Sequence, residues 1–368
     1  MKKAHRKSKV MRRSSRVFLN DLNVGKTNVV RDFLQRCHDA TQYFVDLFWQ
    51  RQDFSAELAD LETVHRACER FGLTTRLAQA LAKQAKETVR SQIEKDRKRK
   101  PQVRQWTTTL YYHFVTLEPF AKRHFDIAVK LIGSGAPRLL LPVHATRHLN
   151  RKLREGWTLS KTLRLGWRKR RLFVDFLLEK ACPEPKTKGR VVGMDSNYVN
   201  GLVFSDGQHV GQDTVQRIRA FSKRQKHTHQ EAKDLIGQAI KQIDWSNIKV
   251  LCIENLKHVK HGKRGTFSRN QNRRLSHWLY AYVAEVLARH CEEHGIRLER
   301  KHPAYTSQFC HLCGRWDRRN RSGDRFKCVH CGYLSHADQN AAYNLELLGL
   351  AGVYGLRWLK SSERQGSG

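Results

Sequence analysis

Apolar residues recur at three- and four-residue spacing between Val30 and Phe48. Val30, Phe33, Leu34, Cys37, Phe44, Leu47 and Phe48 share one side of a 3.6-residue turn, which predicts an amphipathic helix. A short apolar run, RVFLN at 16–20, predicts a strand before it. Helical patterning continues to the basic run SQIEKDRKRKPQVR, where Pro101 closes a helical N-terminal module. Between residues 105 and 180 the pattern shortens. FDIAVKLIG, RLLLPVHAT and the pair TLRLGW and RLFVDFLLE predict short strands and a hairpin, a small β-module with basic edges. ACPEPKTKGR, with two prolines, reads as a linker. From Arg190 the order is strand (VVGMDS), strand (NGLVFS), a weaker strand, a helix around Glu231 to Ile243, strand (KVLCIENL), a helix around Leu275 to His294 and strand (IRLERK). That order predicts a mixed α/β sheet with helical cover, against which Trp278, Leu279, Val283, Val286 and Leu287 pack from one helical face. The tail SSERQGSG predicts disorder.

Charge narrows the function classes. The chain has 70 Lys+Arg against 34 Asp+Glu, a net charge of +36, far more than solubility requires. Basic side chains displace counterions condensed on nucleic acid, so a polyanionic partner is expected. A membrane surface is the competing partner, but the chain has no long apolar segment and no lipidation motif. MKKAHRKSKVMRRSSR is basic without the apolar core of a signal peptide, and the expectation is a soluble, cytoplasmic protein. The candidate contacts to a phosphate backbone are the run Lys2 to Arg16, the run Lys95 to Arg104 with Arg97, Lys98, Arg99 and Lys100, and the run Arg164 to Arg171 with Arg168, Lys169 and Arg170. Trp106, Tyr111 and Trp167 are candidates for stacking on unpaired bases, with core packing as the ordinary alternative.

Nine cysteines raise the question of disulfides, yet four of them fall within 22 residues as Cys310-x2-Cys313-x14-Cys328-x2-Cys331. Paired C-x-x-C spacing supplies four thiolates to a tetrahedral zinc ion, and Gly314 and Gly332 after the pairs permit tight turns. Four protein ligands leave no open position for water, so the expected Zn²⁺ is structural. Arg315, Arg318, Arg319, Arg321, Arg325 and Lys327 fill the interval, either as a phosphate-binding ribbon or as a solvated loop.

Two acids interrupt apolar strands: Asp195 in GMDSNYVNGLVFSDG and Glu254 in KVLCIENL. Asp338 opens the helix DQNAAYNLELL behind the second cysteine pair. Singly, these are strand-end acids and a helix N-cap. If the two strands are neighbours and the helix returns over the sheet, the three carboxylates converge. They then suit oxygen-liganded Mg²⁺, two ions of which can stabilise the attacking and leaving oxygens of a phosphodiester. Asn340 is placed to make hydrogen bonds at the helix start or to orient a metal-bound water. The run HVKHGKRGTFSRNQNRR after Glu254 reads as a mobile lid, a phosphate-contacting loop or a plain solvated loop.

GMDSNYVNGLVFSDG, KVLCIENL, HPAYTSQFCHLCG and KCVHCGYLSHADQNAAYNL together resemble the nuclease core and zinc ribbon of TnpB proteins, transposon-encoded RNA-guided DNA nucleases related to the compact type V CRISPR effectors. The resemblance covers residues 190 to 345 and departs from the family at Ser196-Asn197, Asn255-Leu256 and His336-Ala337, none of which removes an acid. It implies an α+β multidomain chain: a helical recognition module and a β-barrel wedge module, then an RNase H-like (RuvC) α/β nuclease core with an inserted zinc ribbon. The implied divisions are 1–28 (basic N-terminus and first wedge strand), 29–104 (recognition), 105–189 (wedge and linker), 190–303 (nuclease core), 304–337 (zinc ribbon) and 338–368 (final helix and tail). By the same resemblance Asp195, Glu254 and Asp338 are the catalytic acids holding two Mg²⁺ ions, and Cys310, Cys313, Cys328 and Cys331 hold one Zn²⁺. The implied partners are a guide RNA with its scaffold and a target double-stranded DNA, cut next to a short flanking motif. A compact CRISPR effector, a non-cutting DNA-binding regulator and an unguided structure-specific nuclease are the alternatives.

Overall fold

A computed structural model describes residues 10–119, 125–133, 135–221, 229–256 and 278–355. The start of the N-terminal basic run, the basic run at 258–274 and the tail lie outside the described residues. The chain divides into two compact units, Met1–Ala181 and Cys182–Gly368, meeting at the proline-containing stretch.

In the first unit, β1 (Val10–Phe18) precedes α1 (Val24–Arg51), α2 (Leu61–Phe71) and α3 (Thr75–Ile93). The side chains of Asn23, Asp60 and Thr74 accept backbone N–H groups at the three helix starts, satisfying donors that have no intrahelical partner. The buried face of α1 contains the predicted Val30, Phe33, Leu34, Cys37, Phe44 and Phe48, completed by Ala40, Thr41 and Val45. Strands β2 (Trp106–Leu110), β3 (Val115–Pro119), β4 (Ile127–Leu131) and β5 (Leu139–Val143) follow, then α4 (Arg147–Arg154), β6 (Thr158–Arg168) and β7 (Arg171–Ala181). They pair as two antiparallel sheets, β1-β7-β6-β2 and β3-β4-β5. Arg168 faces Arg171, so the β6–β7 hairpin turns on Lys169 and Arg170 alone. Both have positive φ, +50° and +61°, the twist that two-residue hairpins require.

The second unit is built on one five-stranded sheet in the order β10-β9-β8-β11-β12. Here β8 (Arg190–Asn197), β9 (Gly201–Phe204) and β10 (His209–Val210) form an antiparallel meander. Helices α5 (Gln212–Phe221) and α6 (His229–Ile240) lead to β11 (Ile248–Glu254), which lies parallel to β8. Helix α7 (Tyr280–Glu293) then leads to β12 (Arg297–Lys301), parallel to β11. Short strands β13 (Arg321–Ser322), β14 (Arg325–Lys327) and β15 (Leu334–His336) make a small antiparallel sheet, and β15 runs directly into α8 (Ala337–Leu350).

Strand alternation explains the layers. Val192, Met194, Leu251 and Ile253 belong to one core with Ile236, Ile240, Val283 and Leu287 of α6 and α7. Val191, Val250 and Cys252, one residue out of phase, pack against Leu345 and Leu348 of α8. The predicted Trp278, Val283, Val286 and Leu287 are buried in the first of these cores. The helix expected from Leu275 starts at Tyr280 because Leu279 takes a left-handed backbone, φ +37°. Helix α5 has no counterpart among the expected elements, since among its described side chains Val215 and Ile218 alone reach the core.

Candidate active site and metal centre

Asp195 and Glu254 occupy the carboxyl ends of adjacent parallel strands, one residue beyond the paired Met194 and Ile253. Their parity is that of Val191 and Gly193 on β8, and of Val250 and Cys252 on β11. Both side chains therefore belong to the face crossed by α8, whose first turn carries Asp338. The condition set by the sequence is met: the strands are neighbours and the helix returns over them. Asp195 is 8% exposed and Asp338 3%.

Burial drives the Asp195 carboxyl well above the usual carboxylate range, and the negative fields of Glu254 and Asp338 push it further. Burial likewise raises Glu254, against a hydrogen bond from Thr306 that favours its ionised form. The cluster thus stores repulsion that a bound cation relieves. The donor set, buried carboxylate oxygens with amide and hydroxyl neighbours, fits a hard cation such as Mg²⁺ that keeps part of its water.

Neighbouring polar groups hold each acid. Asn197 Nδ2 donates to Asp195 Oδ2 at 3.0 Å, and Asn200 Nδ2 donates to Asp338 Oδ2 at 2.6 Å. Thr306 Oγ1 donates to Glu254 Oε1. An Arg321 guanidinium nitrogen lies 3.9 Å from Asp338 Oδ1, and its field lowers both Asp195 and Glu254. Tyr280 sits beside Asp195, its hydroxyl kept protonated chiefly by burial and then by the Asp195 charge. Asp338 is not the helix cap: His336 takes that place, its Nδ1 accepting the Asp338 N–H at 3.3 Å. The hydrogen bonds of the Asn340 side chain run to the 309–311 segment rather than to the helix start. The side chain accepts the His311 N–H at 3.3 Å and donates to the Phe309 carbonyl at 2.7 Å. Asn344, one turn on, donates to the Thr306 and Phe309 carbonyls at 2.8 and 2.7 Å. Together the two asparagines clamp the 306–309 loop, which delivers Thr306 to Glu254. Sequence reasoning had passed over Thr306, Asn200 and Asn344, although two asparagines at i, i+4 on a helix flanked by apolar residues were a visible signal.

The cysteine cluster has matching halves. The Gly314 N–H donates to the Cys310 carbonyl at 2.8 Å and the Gly332 N–H to the Cys328 carbonyl at 3.0 Å. The Cys310 and Cys328 N–H groups then bond Arg315 O and Tyr333 O. Both glycines have positive φ, +67° and +76°, which closes each turn. Sγ atoms of Cys310 and Cys331, and of Cys313 and Cys328, lie 3.6 Å apart. A tetrahedron of 2.3 Å zinc–sulfur bonds has edges of about 3.8 Å, close to these two separations, and all four Sγ atoms lie within 4.8 Å of one another, a set suited to zinc.

The candidate nucleic-acid contacts differ in availability. Arg97, Lys98, Arg99 and Lys100 are exposed, but Lys100 pairs with Asp46 at 2.9 Å. Arg168, Lys169 and Arg170 are exposed at the hairpin tip. Arg318 is exposed as well, whereas Arg319 is engaged by Asp317 at 2.8 Å.

Residues 280–345 match the family model described as the Cas12f1-like TNB domain. A stretch of 77 residues, 21% of this chain, is 42% identical to 18% of a CRISPR-associated endodeoxyribonuclease Cas12f1 from Sulfoacidibacillus thermotolerans. Another of 105 residues, 28% of this chain, is 33% identical to 34% of a TnpB-like protein from Aquifex aeolicus. The matches therefore span between about a fifth and a third of those relatives' lengths. A cryo-EM structure of a Cas12f1–sgRNA–target DNA complex contains a chain that superposes with a TM-score of 0.54 at 11% identity, covering 88% of this chain and 83% of that one, and so shares its fold. In its C-terminal sequence, this chain is therefore similar to TnpB-like proteins and to CRISPR-associated endodeoxyribonuclease Cas12f1.

Proposed function

We propose that the protein is an RNA-guided DNA endonuclease of the TnpB type, hydrolysing phosphodiester bonds at the Asp195, Glu254 and Asp338 site. The supporting observation is the convergence of these acids, Asp195 and Asp338 buried and Glu254 half-buried, on one face of the sheet, from two adjacent strand ends and the first turn of the crossing helix. In this reading the five-stranded sheet is an RNase H-like core and the two antiparallel sheets of the first unit are the wedge module. The three carboxylates hold two Mg²⁺ ions, and the cysteine cluster holds one structural Zn²⁺. When bound, the magnesium ions would supply charge stabilisation for the attacking water and the leaving oxygen.

The chain's own residues have separate tasks. Thr306 fixes the Glu254 carboxylate in one rotamer by donating to it, and Asn197 and Asn200 do the same for Asp195 and Asp338. Arg321 brings a permanent positive charge to the rim of the site, where it can meet a substrate phosphate. The net charge of +36 supplies affinity for nucleic acid, and base pairing with a guide RNA supplies sequence specificity.

The test is sequencing of the RNA that co-purifies with the protein from cells carrying its native locus, followed by cleavage of matched double-stranded DNA with Mg²⁺. One discrete scaffold with a variable end, and cutting that follows the variable end, is the expected result. An RNA derived from a repeat array rather than a transposon end would assign the protein to the compact CRISPR effectors. Absence of any specific RNA would overturn the guided reading, and intact binding without nicking would favour a regulator.

A further inference from the structure

The first unit holds a cavity of about 320 Å³ lined by Arg104, Gln105, Trp106, Trp167, Arg168, Lys169 and Phe173. Its construction follows from strand register. Trp106 at the start of β2 lies opposite Trp167 near the end of β6, so two indoles arise side by side at one end of the sheet. Both are half-buried, and the fully buried Phe173 of β7 forms part of the lining. Phe173 is held by Phe18, ring centroids 6.1 Å apart, and by the Arg16 guanidinium 3.8 Å from its ring centre. Gly166, opposite Phe173, leaves room for that ring: a Cβ there would lie 2.3 Å from Phe173 Cζ. Trp106 is supported from behind by His38 at 5.9 Å, itself anchored by Nε2 to the Val103 carbonyl at 2.6 Å. Trp106 and Phe173 are thus each held by a neighbouring ring, and the rest of the lining is charged or polar. Arg104, Arg168 and Lys169 are exposed and make no ion pair among the described residues, and Lys169 sits on the hairpin turn with a left-handed backbone.

Aromatic surfaces beside cations that make no ion pair among the described residues, without a carboxylate in the lining, match one chemistry: a planar base on an anionic backbone. We propose that this cavity binds an unpaired nucleotide of a single-stranded nucleic-acid segment, its base against Trp106 and Trp167 and its flanking phosphates at Arg104, Arg168 and Lys169. A buried core role for the two indoles would not require unpaired cations at their edges. Gln105, exposed at the mouth, offers an amide to a base edge. The proposal rests on the nucleic-acid-binding part of the reading above but not on the nuclease part.

The experiment is photocrosslinking of the full chain, without Mg²⁺, to an oligonucleotide of about 12 residues carrying 5-iodouracil, as RNA and as DNA, with adducts mapped by mass spectrometry. The expected result is an adduct on Trp106 or Trp167. Trp167→Ala should weaken binding of the same probe about 5- to 150-fold, with Trp167→Phe close to the parent because it keeps a stacking face. Arg168→Ala with Lys169→Ala should flatten the salt dependence of binding and leave the melting temperature unchanged. Preference for the ribo- or deoxyribo-probe distinguishes an RNA strand from a DNA strand, and either supports the cavity as a nucleotide site. Adducts confined to other residues, or displacement of the probe by poly-glutamate as effectively as by unlabelled oligonucleotide, would overturn the proposal. Should Trp167→Ala fail to fold, the crosslink on the unaltered protein decides alone. Since no step reads cleavage, a failed nuclease assay and a failed cavity remain separate results.

Discussion

Gly193→Ala is a test of how the acidic site is assembled. A Cβ at Gly193 would lie 2.0 Å from Ala342 O, 2.4 Å from Glu346 N and 2.9 Å from Leu345 Cβ, so α8 packs backbone to backbone on β8 at this point. Ordinary contact begins near 3.4 Å, and the gap from 2.0 Å requires a movement of about 1.4 Å. The strand cannot yield it easily. Gly193 is paired with Cys252, its N–H donates to Ser205 Oγ at 3.0 Å, and its carbonyl accepts the Ser205 N–H at 2.9 Å. The helix must withdraw instead, carrying Asp338 away from Asp195. Overpacking of this kind costs about 1–3 kcal/mol, or about 2–12 °C in the melting temperature of a unit this size. Displacement of a catalytic group by about 1 Å costs about 100-fold in rate. The assay is a thermal melt with zinc stoichiometry and Mg²⁺-dependent cleavage on the same preparation. The expected variant is folded and zinc-loaded, melts lower and cuts about 100-fold more slowly. Gly349→Ala provides the internal comparison: its Cβ would meet Cys252 Sγ at 2.3 Å and Val191 Cγ1 at 2.9 Å, side-chain atoms that can turn aside at the far end of α8. Its cleavage should stay much closer to the parent. A Gly193→Ala protein that melts and cuts like the parent would falsify the account of Gly193 as the seat of the helix.

Three further outcomes follow from the same geometry. Asp195→Asn should abolish Mg²⁺-dependent cleavage while sparing nucleic-acid binding, and should change the pH profile of stability. Because the folded Asp195 carboxyl is raised, its contribution is present below the unfolded pKa of about 3.9 and is lost as pH rises toward the folded value. In the absence of Mg²⁺, the variant should therefore gain on the parent as pH climbs from about 4, and a pH-independent difference between the two would contradict the burial argument. Cys313→Ser should take bound zinc from one ion per chain to substoichiometric and destabilise the C-terminal ribbon; full zinc content by elemental analysis would exclude Cys313 as a ligand. Thr306→Val should leave the ionised Glu254 without its hydroxyl partner, costing about 1–3 kcal/mol and slowing cleavage, whereas Thr306→Ser should restore both. Equal behaviour of the two substitutions would show that the hydroxyl does not act on Glu254.

Sequence reasoning reached the site because its signals are local. An acid interrupting an apolar strand, or a C-x-x-C pair followed by glycine, is recognisable without knowing what lies across the sheet, whereas the convergence of the acids was conditional on the strands being neighbours. Contacts at long sequence separation were not legible. Thr306 meets Glu254 across 52 residues, and Asn200 meets Asp338 across 138, with ordinary polar residues at both ends. Asp338 looked like a cap because acids at helix starts usually are; His336 displaces it because β15 enters the helix without a turn. Helix α5 escaped notice for want of an apolar face, and Arg319 looked like a free cation because its partner, Asp317, is bound within the same loop.

These distant contacts give the cysteine cluster its bearing on the acids. The first knuckle ends the 306–309 loop, and Asn340 and Asn344 of α8 tie that loop down through the Phe309 and Thr306 carbonyls. The second knuckle leads through β15 into α8 itself, where the Ala337 N–H is held by the Asp324 carbonyl at 2.8 Å. The ribbon strand β13 contributes Arg321 beside Asp338. Each of the two chain segments that a bound zinc would staple together therefore delivers one element of the acidic site: Thr306 on Glu254 from one side, Asp338 from the other. A carboxylate cluster that repels itself in the absence of metal needs such external positioning, since its members would otherwise separate or protonate. Closing the four thiols on one ion would hold the two segments in register, so under the proposed function a bound zinc would help to position the acids without any contact with substrate.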